Sequence, residues 1–234
     1  PAAARNHGAA KARGRYLAFL DDDCVPSGHW LDGFDIDALD RAALLGGSTR
    51  NGLPNNPFST ASHLINEFVY EYYRTRPGAE RFFPSNNVAM ARDAFLGLGG
   101  FGLEIPASTS EDKELCDRWR LSGRELLHAP DAQVSHAHQL SVLSFVRQHF
   151  AYGRGIVCFR VLRRGRVSPQ QSTLRPEPWR FYLRLILYPF SVLPWGRGLV
   201  VSTLVGVAQL ATIAGAAVGA IMDLPRMKRS RQEV

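Results

Sequence analysis

Apolar positions in the first 140 residues switch between a helical period and short unbroken runs, and the switching sets out alternating helices and strands. Residues 3–12, "AARNHGAAKA", are good helix formers, and Gly14 supplies the stop. Tyr16–Leu20 predicts a short buried strand, parallel to its neighbours. Beyond Pro26 a helix is expected, with Trp30, Leu31 and Phe34 on its buried face. Leu44–Ser48 predicts a further strand, and "NGLPNNP" is loop. Aromatic and aliphatic residues recur at helical spacing from Thr60 to Tyr73. "NNVAMARDAFLGLGGF" predicts a strand, a short helix and a stop at Gly99 and Gly100. "EDKELCDRWRLSG" is a marked helix: acids open it, Leu115, Trp119 and Leu121 form its buried side, and Gly123 caps it. "ELLHAPDAQVSHAH" predicts a strand with a proline break. Such alternation indicates an α/β domain over residues 1–140.

The pattern changes after Ser141. Residues 141–166 predict a strongly basic amphipathic helix, and "VSPQQSTLRPEP" a linker that completes a segment over 141–178. Residues 179–224 read as membrane-associated helices. Phe181–Trp195 is apolar behind its arginines, and Leu199–Met222 has no charged residue over 24 positions. At roughly 1.5 Å per residue the second stretch can cross a hydrocarbon core of roughly 30 Å. A helix buried in a protein core is the alternative. Residues 225–234 form a basic tail that reads as cytoplasmic.

Composition narrows the partners. The chain has 234 residues, 45% of them hydrophobic, a net charge of +7 and a pI of about 9.7. A basic balance suits anionic small molecules, nucleic acid or a membrane surface. The excess lies mostly after residue 140 beside apolar stretches, which favours lipid headgroups over nucleic acid. Cys24, Cys116 and Cys158 are widely spaced and odd in number, so neither a disulfide framework nor a zinc pattern follows, and a reducing compartment is expected. The chain opens without methionine inside what reads as a helix, and it is expected to be a fragment lacking an N-terminal portion.

Three carboxylates, Asp21, Asp22 and Asp23, end the first predicted strand. Taken alone they fit a solvated turn or a helix N-cap before Pro26. At a strand end of an open α/β sheet they would instead face the ligand crevice, where two can hold one hard divalent cation, Mg²⁺ or Mn²⁺.

"ARNHGAAKARGRYLAFLDDDCVP" resembles the signature of family 2 glycosyltransferases with the GT-A fold. "PSNNVAMARDAFLGLGGF" is similar to that family's acceptor-side segment, and "TSEDKELCDRWRLSGRELLHAPDAQVSH" to its Glu-Asp helix and the strand after it. The three blocks cover about residues 2–138 in the family's order. The resemblance implies inverting transfer of a sugar from a nucleotide-diphosphate sugar to a lipid-linked or saccharide acceptor, with Mn²⁺ or Mg²⁺, in cell-envelope or exopolysaccharide biosynthesis. It implies a metal on Asp21 and Asp23 that neutralises charge on the departing diphosphate, with His136, ahead of His138, completing the site. Asp22 would face the ribose or hold the turn. Asp112 would be the base that takes the acceptor's proton, with Glu111 orienting the acceptor or its loop. Arg5 and Asn6 would flank the nucleotide, and Asn86 and Asn87 would lie near sugar or acceptor.

The family often has an acid after "GGF", where this chain has Gly102, which puts one acceptor contact in doubt. By the resemblance, the strand that holds the nucleotide base is expected to lie in the N-terminal portion that this fragment lacks, and residues 1–234 hold no Gln-x-x-Arg-Trp motif of processive synthases, which favours single-sugar transfer. A metal-dependent phosphohydrolase and a membrane-anchored, non-catalytic binding domain are the rival readings. Localisation is expected at the inner membrane with the catalytic domain on the cytoplasmic face. One crossing by Leu199–Met222 would set that domain and the basic tail on opposite sides. A hairpin with Phe181–Trp195 as first leg, in which Pro189 makes a kink, is expected to resolve this. The other possibility is that this leg lies in the interface.

Overall fold

The computed structural model describes residues 1–74, 82–105, 109–166 and 177–230. Most of the expected linker, 167–176, lies outside them, as do the side chains of the basic tail. The described residues form two compact units.

The first unit comprises residues 1–52, 73–103 and 111–138. Its sheet has five strands: β1 (Tyr16–Leu20), β2 (Cys24–Pro26), β3 (Leu44–Asn51), β4 (Asn87–Ala91) and β5 (Leu126–His136), in the order β1-β4-β3-β5-β2. Only β3 and β5 run parallel; β1 pairs antiparallel with β4 alone. The parallel neighbour expected for Tyr16–Leu20 is therefore not found among the described strands. A five-residue apolar run reads alike in either direction, and the connections decide which it is.

Alternate strand residues feed two cores, as the two-residue period of a strand requires. On one face Leu17, Leu44, Val88 and Met90 meet Phe95, Phe101, Leu115 and Trp119, with Ala2 and Ala9. These come from α1 (Ala2–Lys11), α4 (Arg92–Gly97), α5 (Glu111–Leu121) and the loop that holds Phe101. On the other face Leu45, Ala89, Ala129 and Ala132 meet Phe34, Ala38, Leu39 and Ala43. Here α2 is a short helix, Ile36–Asp40, and Asp35 Oδ1 caps it by accepting from the Asp37 and Ala38 amides.

No helix follows Pro26. Residues 28–33 form turns with Trp30 N to Ser27 O and Phe34 N to Leu31 O bonds. Gly33 lies so close to β5 that a Cβ there would sit 2.3 Å from the Ala132 nitrogen, an approach a helix with side chains does not permit. Phe34 is buried as expected, but Leu31 is exposed, and so is Leu121 at the end of α5.

The second unit comprises residues 53–72, 104–110 and 139–234. It contains most of α3 (Pro57–Arg74), α6 (Val142–Arg164), α7 (Trp179–Leu187), α8 (Pro189–Val192) and α9 (Trp195–Ser230). Phe68 and Tyr72 of α3 pack on Phe181 of α7 at ring separations of 5.4 and 4.5 Å. Helix α6 falls where a basic amphipathic helix was expected. It buries Phe145, His149, Gly153, Gly155, Phe159 and even Arg163, and packs along α9. Among the described residues one helix, α9 over Trp195–Asp223, is long and apolar enough to cross a membrane.

Candidate active site

The aspartates follow β1 directly, and the pairing of Cys24 with His136 sets the end of β5 beside them. Asp23 Oδ2 lies 3.0 Å from His136 Nε2, and the Asp23 carbonyl accepts from the Ala137 amide at 2.7 Å. His136 stacks on His138 at 4.9 Å. Burial, then the neighbouring His136, holds the His138 imidazole below its ordinary pKa, against the pull of Asp23 and Asp21.

Asp21 is engaged differently. Its Oδ1 accepts from Arg5 Nη2 at 2.5 Å, while Arg5 Nη1 reaches Glu111 Oε1 at 3.3 Å. One guanidinium, lying 5.6 Å from the Phe101 ring centre, thus joins the aspartate turn to the start of α5. Asp22 is exposed and points to no described partner.

Asp112 is the second residue of α5, and its Oδ1 accepts from the Lys113 amide at 2.8 Å. The helix terminus alone would favour its ionised form. Burial, then the adjacent Glu111, outweighs this, and the carboxyl is pushed up to about 6 against Lys113 and Arg5. That value suits a group that must accept a proton near neutrality.

The two amides of "NN" part company. Asn87 is fully buried and spent: Nδ2 donates to Ser48 O and Ala132 O at 3.0 and 2.8 Å, and Oδ1 accepts from Trp30 Nε1 at 2.9 Å. The role expected for Asn87 beside the sugar donor does not fit an amide that holds three segments together. Asn86 is also buried, but its Oδ1 has no partner among the described residues, and its side chain reaches Cys24. Asn6 likewise works on the scaffold, exchanging two bonds with the Phe101 backbone at 2.9 and 2.8 Å. Those bonds explain Gly100, whose φ of +70° and 2.6 Å approach of a Cβ to Asn6 Oδ1 require glycine.

Residues that sequence reasoning missed are Glu114 and Arg118. Arg118 takes both Glu114 oxygens at 2.7 Å and caps the Leu98 and Gly100 carbonyls at 2.6 and 2.5 Å, fixing α5 against the Gly99–Phe101 turn. Their i,i+4 spacing was the available signal. Gly102 fits the same arrangement: a Cβ there would sit 2.8 Å from Glu114 Oε2.

For a metal, the ligand atoms of Asp23, Cys24 and His136 all lie within 4.8 Å of one another. Carboxylate and imidazole suit Mn²⁺. The Cys24 thiol, pushed up to about 12 by burial and then by Asp23 and Asp21, stays protonated and suits a hard cation poorly.

Residues 1–97 match the profile of Glycosyl transferase family 2. Two curated pre-mycofactocin glycosyltransferases, from two strains of Mycobacterium tuberculosis, are 27% identical over 176 residues, covering 72% of this chain. The chain spans 37% of the length of those relatives. Among solved structures, a mannosyltransferase from Pyrobaculum calidifontis in complex with GDP-Man and Mn²⁺ is similar in fold. Its TM-score is 0.53 at 14% identity, over 96% of this chain and 66% of that one. Residues 1–97 are thus similar to glycosyltransferase family 2, the relatives are glycosyltransferases, and the likeness to the Pyrobaculum enzyme shows a fold of the GT-A type.

Proposed function

We propose that the first unit carries the active site of an inverting glycosyltransferase, which moves single sugars from a nucleotide-diphosphate sugar to a hydroxyl of a lipid-linked or saccharide acceptor. The carrying observation is the Arg5 bridge, which holds the aspartate turn and the Glu111–Asp112 helix start in one site. A nucleotide sugar needs positive charge at its diphosphate and a base at the acceptor, and these two elements supply the residues for both.

Asp23 and His136 would hold Mn²⁺ or Mg²⁺, with Asp21 through the oxygen that Arg5 does not take. The ion would supply charge against the departing diphosphate. Asp112 takes the acceptor's proton as the hydroxyl attacks, and Glu111, kept in place by Arg5, orients that acceptor. Asn86, with its free carbonyl oxygen, is the better candidate to meet the sugar than Asn87. Arg5 and Asn6 support the nucleotide side by fixing the turn and the Phe101 loop, and Asp22 is left for the ribose. The Pyrobaculum neighbour is a complex with GDP-Man and Mn²⁺, which is the donor class proposed here. Membrane attachment through the second unit, on the cytoplasmic face in envelope or exopolysaccharide synthesis, belongs to the same proposal.

The test pairs a panel of nucleotide sugars with calorimetry on the full-length protein. One donor should bind only with Mn²⁺ or Mg²⁺ and yield transferred sugar, and Asp23→Asn should abolish the metal-dependent binding. Donor hydrolysis without transfer would favour a phosphohydrolase. Absence of any metal-dependent binding would favour a non-catalytic binding domain.

A further inference from the structure

Helix α9 carries no charge from Leu199 to Met222, yet its own unit holds it between Arg197 and Asp223. Arg197 Nη2 donates to Pro54 O at 2.6 Å and Ser202 Oγ to Ile186 O at 2.7 Å. Thr212 Oγ1 reaches His149 O at 3.2 Å, and Asp223 accepts from Arg154 Nε and Nη2 at 2.8 and 2.7 Å. Between these the backbones touch. A Cβ on Gly153 would meet Thr212 O at 2.0 Å, and one on Gly215 would meet Phe150 O at 1.9 Å. The pairs Phe150–Gly215 and Arg154–Gly219 show α6 running beside α9 in the same direction.

The packed and open faces of α9 are opposite. Val201, Val205, Ala208, Gly215 and Asp223 turn inward, while Trp195, Leu199, Leu210, Ile213 and Ile221 are exposed. At roughly 100° per residue the exposed set forms a single stripe. A lone bilayer-crossing helix is apolar on all sides, and α9 has one side to offer. A crossing would also carry α6 with it, setting the exposed Arg147 near Thr212, close to the middle of the span, where a guanidinium is costly. Among the described residues there is also no second leg for a hairpin. Helices α7 and α8 have nine and four residues and end at an extended Leu193, too short at roughly 1.5 Å per residue for a core of roughly 30 Å.

We propose that α9 lies in the plane of a membrane surface, its stripe sunk among the acyl chains of an anionic leaflet, and does not cross it. Exposed Trp179, Leu183 and Leu187 give α7 an apolar face of its own, with exposed Arg180 and Arg184 on the same helix for lipid phosphates. Trp179 and Trp195 are of the type favoured at the water–lipid boundary. This rests on the membrane reading above and is independent of sugar transfer.

The test uses the full-length protein with an environment-sensitive fluorophore on a cysteine at Leu199, Leu210 or Ile221, in turn. The vesicles are phosphatidylcholine with phosphatidylglycerol and carry a nitroxide at either shallow or central depth. An in-plane helix predicts a blue shift at all three positions and similar quenching, at least twofold stronger from the shallow nitroxide. Deep quenching at Leu210 with shallow quenching at Leu199 and Ile221 would overturn the proposal in favour of a crossing and leave membrane attachment standing. No response to any vesicle would overturn both, and sedimentation would then show whether a second copy covers the stripe. Sugar transfer measured on the same samples reports the catalytic reading separately.

Discussion

At the scale of single residues, the start of α5 holds its charge at a cost to the fold. The Asp112 carboxyl rises from 3.8 to about 6 on folding, so the native state holds its proton more tightly than the unfolded chain does. That contribution to stability is complete below pH 3.8 and is lost as pH rises through about 6. At pH 7.5 the ionised group therefore lowers the benefit by up to about 3 kcal/mol. Asp112→Asn keeps the acceptor for the Lys113 amide and sheds the charge. It should raise Tm at pH 7.5, with a much smaller effect at pH 4, and lower turnover by about 10²-fold or more with donor affinity unchanged. Wild-type turnover should fall as pH drops through about 6. Calorimetric melts at the two pH values, with a pH–rate profile, check both; unchanged transfer in the variant would leave Asp112 as a capping residue. Some of this arrangement could be read in the sequence. The three aspartates, "SED" and "SHAH" mark where the chemistry gathers, and Asp23 and His136 do meet. The double use of Arg5 and the division of labour between Asn86 and Asn87 could not be read, because each depends on the register of segments far apart in the chain.

Elements show the same divide between local and distant causes. Helices α1, α4 and α5, with the strands β1, β3, β4 and β5, stand close to where periodicity and glycine stops put them. The helix expected after Pro26 fails because Gly33 must press against β5, a tertiary demand that a periodic trio of Trp30, Leu31 and Phe34 does not reveal. Helix α6 stands where the pattern puts it, but the sequence does not reveal what it packs against, since Gly153 and Gly155 admit other chain segments. Gly153→Val and Gly215→Val should therefore destabilise the second unit by more than about 2 kcal/mol, because their Cβ atoms would lie 2.0 and 1.9 Å from backbone carbonyl oxygens. Gly206 meets nothing within 4 Å, so Gly206→Ala should be neutral or gain about 0.5–1 kcal/mol from helix propensity. Melting of the three variants side by side in the same detergent or lipid separates close packing from propensity. Equal stability of all three would mean that α6 and α9 do not pack this way.

The whole molecule carries a net charge of +7 and a helix that composition alone cannot distinguish from a membrane span. Sequence reasoning meets a contradiction there. One crossing sends the basic tail away from the side on which the sugar donor is expected, and a hairpin needs a first leg that α7 and α8 are too short to make. The contradiction disappears if nothing crosses. With α9 in the plane of the leaflet, nothing crosses, and the tail stays on the catalytic side. A cysteine at Ser230 should then resist an impermeant maleimide in intact cells and react in inverted vesicles. A buried hairpin would give the same labelling, so alkaline carbonate extraction is needed beside it. An in-plane helix should release a substantial fraction of the protein into the wash, whereas a spanning pair should keep nearly all of it in the pellet. Labelling from outside intact cells would restore the single crossing, and full retention after carbonate would restore the hairpin.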